Sequence, residues 1–478
     1  MNFRVMPSDP IPAQSQNDQD IDRFESGRAI ARARLAKLSR SDTSYADVFA
    51  QQIVHDLVEG RVRLAGRSIP PINVSSHASV AEGLALRRLG PQTSFAAANG
   101  LDPKVADSLA ERLERRPDGQ LTVAPSYGSR AASVEISENA IAYVRSLIDF
   151  VLSGVDNCRL VKARISTFSD RRGLINTVGH DATSHGLRSE LHVRVETDTM
   201  SATFTWVDWG SSGPPSVDPT AVVRQFQSRA NLSAAATIDL PDRAALLLPP
   251  GWGGIWMHEA VGHLLEADTV LSSLSRLPEL IGSRVSSEQV DVVDDGTLNP
   301  ARVRGGFDDE GVGTSSTALI ECGVVVGLLT DRSTALRSGL PVTGNGRRPH
   351  FGLPPRPRMT NLLMRPGKLT REDLLSLASP LIVVDTMRHA WLDANDHQMH
   401  LDVEDAMLMR GGEPAGRVGS FIASSDPMHL LRGVKGVASD FAIDLHRGYC
   451  LKDGAALPVT VGQPSVLIAD VAIRSSSG

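Results

Sequence analysis

The sequence predicts an α+β chain in two parts, from three observations. Strand-like runs are mixed with helices at unequal spacing, unlike the regular alternation of a doubly wound sheet. Near residue 240 the character changes, where the apolar run LPDRAALLLPPGWGG ends in Pro249, Pro250, Gly251, Gly253 and Gly254. Beyond it the chain reads as many short strands with glycine-rich turns and few helices. The organisation expected is an arm over residues 1–20, an N-terminal domain over 21–233 and a β-rich C-terminal domain over 234–478.

Residues 1–20 are rich in Pro, Gln, Asn and Asp, with little to bury, and are expected to be disordered. Ile21, Phe24, Ile30, Leu35 and Leu38 place a helix from Ile21 to Leu38. YADVFAQQ at Tyr45 and RVRLAG at Arg61 read as two strands, followed by GLALRRLG and TSFAAANG between Gly83 and Gly100. Asp102 and Pro103 supply the N-cap and first-turn proline of a helix to about Arg115. Ile141, Val144, Ile148 and Val151 recur at helical spacing, so a helix is expected from its cap, Ser137, to Leu152, with Gly154 ending it. Strands follow around Arg159–Phe168, Glu190–Glu196 and Ala202–Val207, then a helix from Asp218-Pro219 to about Ala230. In the second part the candidate strands are VDVVDD, TALIEC, VVVGLLT, PLIVVDT, MHLDVEDAMLM and PVTVGQPSVLIADV.

Composition narrows the function. The 478 residues carry 49 basic and 55 acidic side chains, a net charge of −6, which argues against a dedicated nucleic-acid binder. No apolar run approaches the ~20 residues that span a membrane, and the opening residues lack the apolar stretch of a secretory signal. Three cysteines, Cys158, Cys322 and Cys450, form no disulfide framework and point to a reducing, cytoplasmic compartment. Cys158 and Cys322 read as small buried hydrophobes.

The segment that carries chemistry is WMHEAVGHLLEAD, Trp256 to Asp268. Its His258, Glu259 and His263 form HExxxH, one residue longer than the HExxH that puts two histidines on one helical face. At ~100° per residue a straight helix would aim the two imidazoles about 140° apart. They converge only if the helix is distorted, as by a π-bulge, and such bulges collect at functional sites. Gly262 lowers the cost of unusual backbone there. Imidazoles suit zinc, and a catalytic zinc keeps three protein ligands and an open position. Glu259 adjoins His258 and is placed to take a proton from water and pass it to a leaving amine. A structural helix would use the same apolar, glycine-rich approach. For the third ligand, Glu266, Asp268, a later histidine and Cys450 all remain candidates; Cys450 stands in the turn-like HRGYCLKDG.

Six segments occur in order: PPGWGG, HEAVGHLLEAD, FDDEG at Phe307–Gly311, TGNGRR at Thr343–Arg348, PRMTN at Pro357–Asn361, and CLKDG…LPVTVGQP at Cys450–Pro464. Together they resemble the TldD/PmbA family of metalloproteases, and within it the metal-bearing TldD-type subunit. The resemblance implies an N-terminal α/β domain and a β-rich C-terminal domain carrying the metal-binding helix. It implies one metal, zinc by preference, on His258, His263 and Cys450, with Glu259 as the catalytic carboxylate. It also implies a heterodimer with a TldE/PmbA-like subunit that lacks the metal motif, acting on unfolded peptides or on peptide natural products. Thiolate with imidazole suits zinc and also admits iron or cobalt.

Two departures from the family pattern bear on the substrate. HLLEAD stands where HGLEGD is common, so Leu264 and Ala267 replace glycines and narrow the space beside the metal. The stretch comparable to a glycine-rich substrate strand, Trp391 to Met407, contains no glycine and is loaded with Asp, Asn and His. An extended peptide adding to a sheet edge needs accessible backbone, so this stretch suggests a specialised member that cleaves or rearranges an amide or other C–N bond of one small conjugate in natural-product biosynthesis. A non-catalytic scaffold with a structural metal ranks behind both enzyme readings.

Other groups weigh toward structure. His389, His397 and His400 read as polar surface or substrate-loop residues. Arg347 and Arg348 suit either a bidentate grip on a substrate carboxylate or a salt-bridged turn. Asp308, Asp309 and Glu310 look like paired carboxylates, but a solvated turn or a packing motif is the stronger reading. Trp206 and Trp209 read as core or interface.

Overall fold

The computed structural model describes residues 15–475 apart from 39–44, 65–69, 91–92, 116–120, 123–128, 132–137, 235–237, 273–280, 299–305, 394–396 and 453. The mixed α+β class and the β-rich second half are as the sequence predicts. The first helix, α1 (Ser15–Leu38), begins at Ser15 rather than Ile21, so residues 15–20 of the expected arm are helical and residues 1–14 lie outside the described residues. Apolar periodicity marks the part of a helix that packs and not its full length.

An antiparallel sheet dominates the first half. Its strands are β1 (Tyr45–Arg63), β2 (Asn73–Leu89), β3 (Thr93–Asn99), β4 (Leu121–Thr122), β5 (Ser129–Ala131), β6 (Cys158–Asn176), β7 (Asp181–Thr197) and β8 (Ser201–Trp209). They run in the order β4-β3-β2-β1-β6-β7-β8, with β5 on β2 and only β3–β4 parallel. The two strands expected at Tyr45 and Arg61 are one. β1 pairs along nearly its whole length with β2 on one side and β6 on the other, which carries the polar middle through. The helices α2 (Pro103–Arg115), α3 (Glu138–Gly154) and α4 (Pro219–Ala234) cover the sheet. Asp102 caps α2 by accepting the amides of Lys104 and Val105 at 2.9 and 3.1 Å, whereas the cap expected at Ser137 lies outside the described residues. Val144, Ile148 and Val151 of α3 pack with Phe226 of α4 onto Val161, Ile165 and Leu191.

The second half is built around a closed ring of strands. Arg243–Leu248 lies between Leu381–Leu392 and Val466–Ser475. The ring continues through Phe421–Ser425 and Met399–Arg410, which pairs back onto Leu381–Leu392. A six-stranded sheet, from Val324–Val325 to Ala442–Asp444, stands beside it. Among the described residues two hairpins remain outside both: Gly346–Arg347 with Arg356–Pro357, and Tyr449–Lys452 with Ala455–Pro458. Of VVVGLLT, Val324 and Val325 form a strand, which pairs back onto Ile320 and Glu321 across the turn at Gly323, φ +75°. Cys322 beside it is exposed and Cys158 half-buried, so neither is the buried hydrophobe expected. Among the described residues no helix is long and apolar enough to cross a membrane.

Candidate metal centre

The segment carrying HExxxH leaves the ring at Pro249-Pro250, turns at Gly251 (φ +71°) and winds into the core. Ile255, Trp256, Met257, Ala260 and Val261 are buried with Leu246, Leu401 and Ile468 in one apolar cluster. Trp256 fixes the entry by donating Nε1–H to Gln463 at 2.9 Å. His258–Gly262 form a π-turn, with the His263 amide bonded to the His258 carbonyl. A turn closed over five residues brings positions five apart onto one side. The two imidazole rings accordingly stand edge to face, with centroids 4.8 Å apart and planes at 87°.

Gly262 has ordinary helical angles, φ −55° and ψ −58°, so it is not there for backbone freedom. A Cβ at this position would collide with Met359 Sδ and lie 2.8 Å from its Cε, and Met359 is itself wholly buried. Gly262→Ala is therefore expected to cost about 1–3 kcal/mol by overpacking, read as a lower midpoint in urea unfolding. An unchanged midpoint would show that Met359 has room to move.

Cys450 lies on the separate hairpin Tyr449–Lys452 and reaches the same point. Its Sγ is 3.4 Å from His263 Nε2. One donor atom each from His258, His263 and Cys450 lies within 4.8 Å of the others. The donor set, two imidazoles and a thiol, suits a zinc-like ion in its chemistry. His258 is buried, its Nδ1 has no hydrogen-bond partner among the described residues, and burial with nearby His263 pushes it down to about 3. It is the neutral imidazole that a metal takes. Burial alone would lower His263, but hydrogen bonds with Cys450 and Glu266 raise it well above the usual value. Burial pushes Glu259 up against the opposing influence of His263 and a hydrogen bond from the Leu392 amide.

Of the candidate third ligands, Glu266 and Asp268 stand outside this group. Glu266 is fully buried behind His263, with Oε2 3.1 Å from Nδ1. Burial would raise Glu266, but His263, Lys452 and Arg358 outweigh that and hold it at about 2. Lys452 Nζ donates to Glu266 at 2.7 Å and to Asp268 at 2.9 Å. Sequence reasoning missed Glu266 as the partner of His263; its i+3 spacing on the same turn was the available signal.

The edge of the site comes from Leu381–Leu392. Trp252 Nε1 donates to the Met387 carbonyl at 3.1 Å. Trp391 lies with its ring centroid 5.0 Å from each of His389 and His400. His389 is exposed, whereas His400 is buried and bonded to Ser424 at 2.8 Å. His397 takes φ +56°, and residues 394–396 of this stretch lie outside the described residues. Arg388 grips Asp402 with two bonds of 2.8 Å.

Asp308, Glu310, Arg347 and Arg348 are buried, so FDDEG is the packing motif rather than the solvated turn of the two alternatives. Glu310 and Arg348 are 0% exposed and Asp308 7%. Glu310 Oε1 accepts from Arg87 at 2.6 Å, Arg87 Nε donates to Asp47 at 2.8 Å, and Arg348 Nη2 lies 3.5 Å from Asp47. These bonds tie the second half to β1 and β2. Arg347 donates to the carbonyls of Met359 and Pro458. Trp206 stacks on His446 with centroids 3.5 Å apart, so it lies where the two halves meet.

Residues 241–475 match the PmbA/TldA metallopeptidase C-terminal domain. A metalloprotease TldD homolog of Buchnera aphidicola from Acyrthosiphon pisum is 30% identical over 244 residues, 50% of each chain. One from Haemophilus influenzae is 32% identical over 251 residues, 52% of each. The matched stretch thus spans about half the length of these curated relatives. The crystal structure of TldE from Thermococcus kodakarensis superposes with a TM-score of 0.64 over 94% of this chain and 100% of that one, at 15% identity, a likeness of fold. The chain belongs to the TldD/PmbA family, and its C-terminal half is a metallopeptidase-family domain.

Proposed function

We propose that this chain is the metal-bearing, TldD-type subunit of a zinc-dependent peptide or amide hydrolase, with His258, His263 and Cys450 as ligands and Glu259 as general base and then acid. One observation carries the reading: two imidazoles on a π-turn and a thiol from a distant hairpin meet with donor atoms within 4.8 Å. A divalent ion held there supplies Lewis acidity and makes hydroxide available near neutral pH. The chain's own groups do the rest. The Leu392 amide orients the Glu259 carboxylate, which takes a proton from the attacking water and returns it to the leaving nitrogen. Glu266 holds Nδ1 of His263 and leaves Nε2 toward Cys450. The partner we infer is a homologous TldE/PmbA-like subunit, supported by the shared fold. A cytoplasmic setting is supported by three free cysteines.

A second reading, a specialised enzyme for a small conjugate, has its own support. A cavity of about 390 Å³ lies between β6–β7 and the Cys450 hairpin, lined by Phe168, Arg188, Trp209, Tyr449 and Leu457. That is the scale of a small-molecule site. Rapid degradation of unstructured peptides favours the protease; inertness toward them, with turnover of small amide conjugates, favours the specialist.

The metal assignment is tested with Cys450→Ser. Outer-shell partners of a metal are worth about 10–100-fold in affinity, so losing a direct ligand is expected to weaken zinc binding more than 100-fold by competition with a chelator. Full zinc occupancy in Cys450→Ser protein would remove Cys450 from the site.

A further inference from the structure

The hairpin bearing Cys450 poses a mechanical problem. It is two short strands, Tyr449–Lys452 and Ala455–Pro458, which among the described residues pair with each other and with neither large sheet. A lone hairpin is marginally stable in water, yet this one carries a thiol that must stay within a few tenths of an ångström of its place for a metal to be held. Its second strand is anchored one residue further on, where Thr460–Gln463 enters the six-stranded sheet, so the first strand, which bears Cys450, is held by the hairpin pairing, by burial of Cys450 and Leu457 and by side-chain ties. Tyr449 bonds to Glu190 of β7, and Arg347 bonds to the Pro458 carbonyl at 2.8 Å. Neither of these ties reaches the helix that carries the histidines.

Lys452 does. It stands two residues from Cys450, so the two side chains share a face of the strand. Its ammonium closes on three acceptors of the segment just after His263: Glu266 Oε2 at 2.7 Å, Asp268 Oδ1 at 2.9 Å and Thr269 Oγ1 at 3.0 Å. Three acceptors use all three ammonium donors. The same Glu266 oxygen lies 3.1 Å from His263 Nδ1. One buried carboxylate oxygen thus joins the strand of one donor residue to the ring of another.

We propose that Lys452 is a positioning residue for the metal centre: it clamps the Cys450 hairpin to the His258–His263 helix, and through Glu266 it sets the orientation of the His263 ring. This rests on the metal reading above and adds to it a residue that touches neither metal nor substrate. The clamp explains why Glu266 is tolerated in full burial, since Lys452 and Arg358, the latter at 3.6 Å, neutralise it.

Cobalt(II) titration of the full-length chain provides the test, because thiolate coordination gives cobalt a charge-transfer absorption that imidazole coordination lacks. Lys452→Met keeps the length of the side chain and removes its charge and donors. It is expected to bind cobalt about 10–100-fold more weakly than the native chain, with a weakened thiolate band at saturation. Lys452→Arg, which keeps charge and donors, is expected to recover most of both, a rescue that a general loss of structure would not show. Native affinity and a native band in Lys452→Met would overturn the clamp while leaving the metal site standing. If Lys452→Met does not fold, Asp268→Asn, which removes one of the three acceptors, is expected to lower cobalt affinity severalfold, and an unchanged affinity there would overturn the clamp. A native chain that takes up no cobalt would refute the metal reading, and the clamp with it.

Discussion

Glu259→Gln is expected to lower kcat by about 10²–10⁴-fold, the usual contribution of a positioned acid–base group, while zinc content and the melting temperature stay near native values. Glutamine keeps the shape and still accepts the Leu392 amide through its carbonyl, but it takes no proton from water. The residue sits inside the π-turn between the two histidines, and burial lifts its carboxyl, which suits a group that both accepts and returns a proton. The readout is single-turnover hydrolysis of the substrate on which the native enzyme is most active, with metal content measured on the same sample. A metal-replete Glu259→Gln enzyme that turns over at the native rate would remove Glu259 from the chemistry.

The second large effect concerns stability. Glu310→Ala is expected to cost about 1–3 kcal/mol, because it leaves buried donors without their acceptor. Arg87, 1% exposed on β2, would keep Asp47 as its ion-pair partner but lose its bond to Glu310 Oε1. Glu310 Oε2 also accepts the Arg332 amide at 2.7 Å, and the Glu310 carbonyl accepts from Tyr45 Oη at 3.0 Å, so the residue is tied by backbone as well as side chain. Denaturant unfolding followed by far-UV circular dichroism measures the loss. A change below about 1 kcal/mol, the value of an exposed pair, would show that the network contributes little to joining the two halves.

Legibility in the sequence followed the range of the interactions. The π-turn was readable because the HExxxH spacing is a local constraint: histidines five apart meet only on a distorted helix. Cys450 was not readable from spacing, since 187 residues separate it from His263; the order of motifs around it singled it out. The buried network joining Asp47, Arg87, Glu310 and Arg348 escaped for the same reason. Carboxylates in a glycine-rich turn look solvated until their partners, 223 residues away for Arg87 and Glu310, are known. The value of Gly262 lies in the Met359 side chain above it rather than in its own angles. The strand β1 reads as two because the segment between its apolar ends is polar, and only pairing on both edges makes it continuous.

X-ray absorption at the zinc edge of the metal-loaded chain reads the donor atoms themselves. A metal held by His258, His263 and Cys450 gives a shell with one sulfur at about 2.3 Å and two imidazole nitrogens at about 2.0–2.1 Å. A shell of nitrogen and oxygen alone, with no sulfur scattering, would contradict that ligand set.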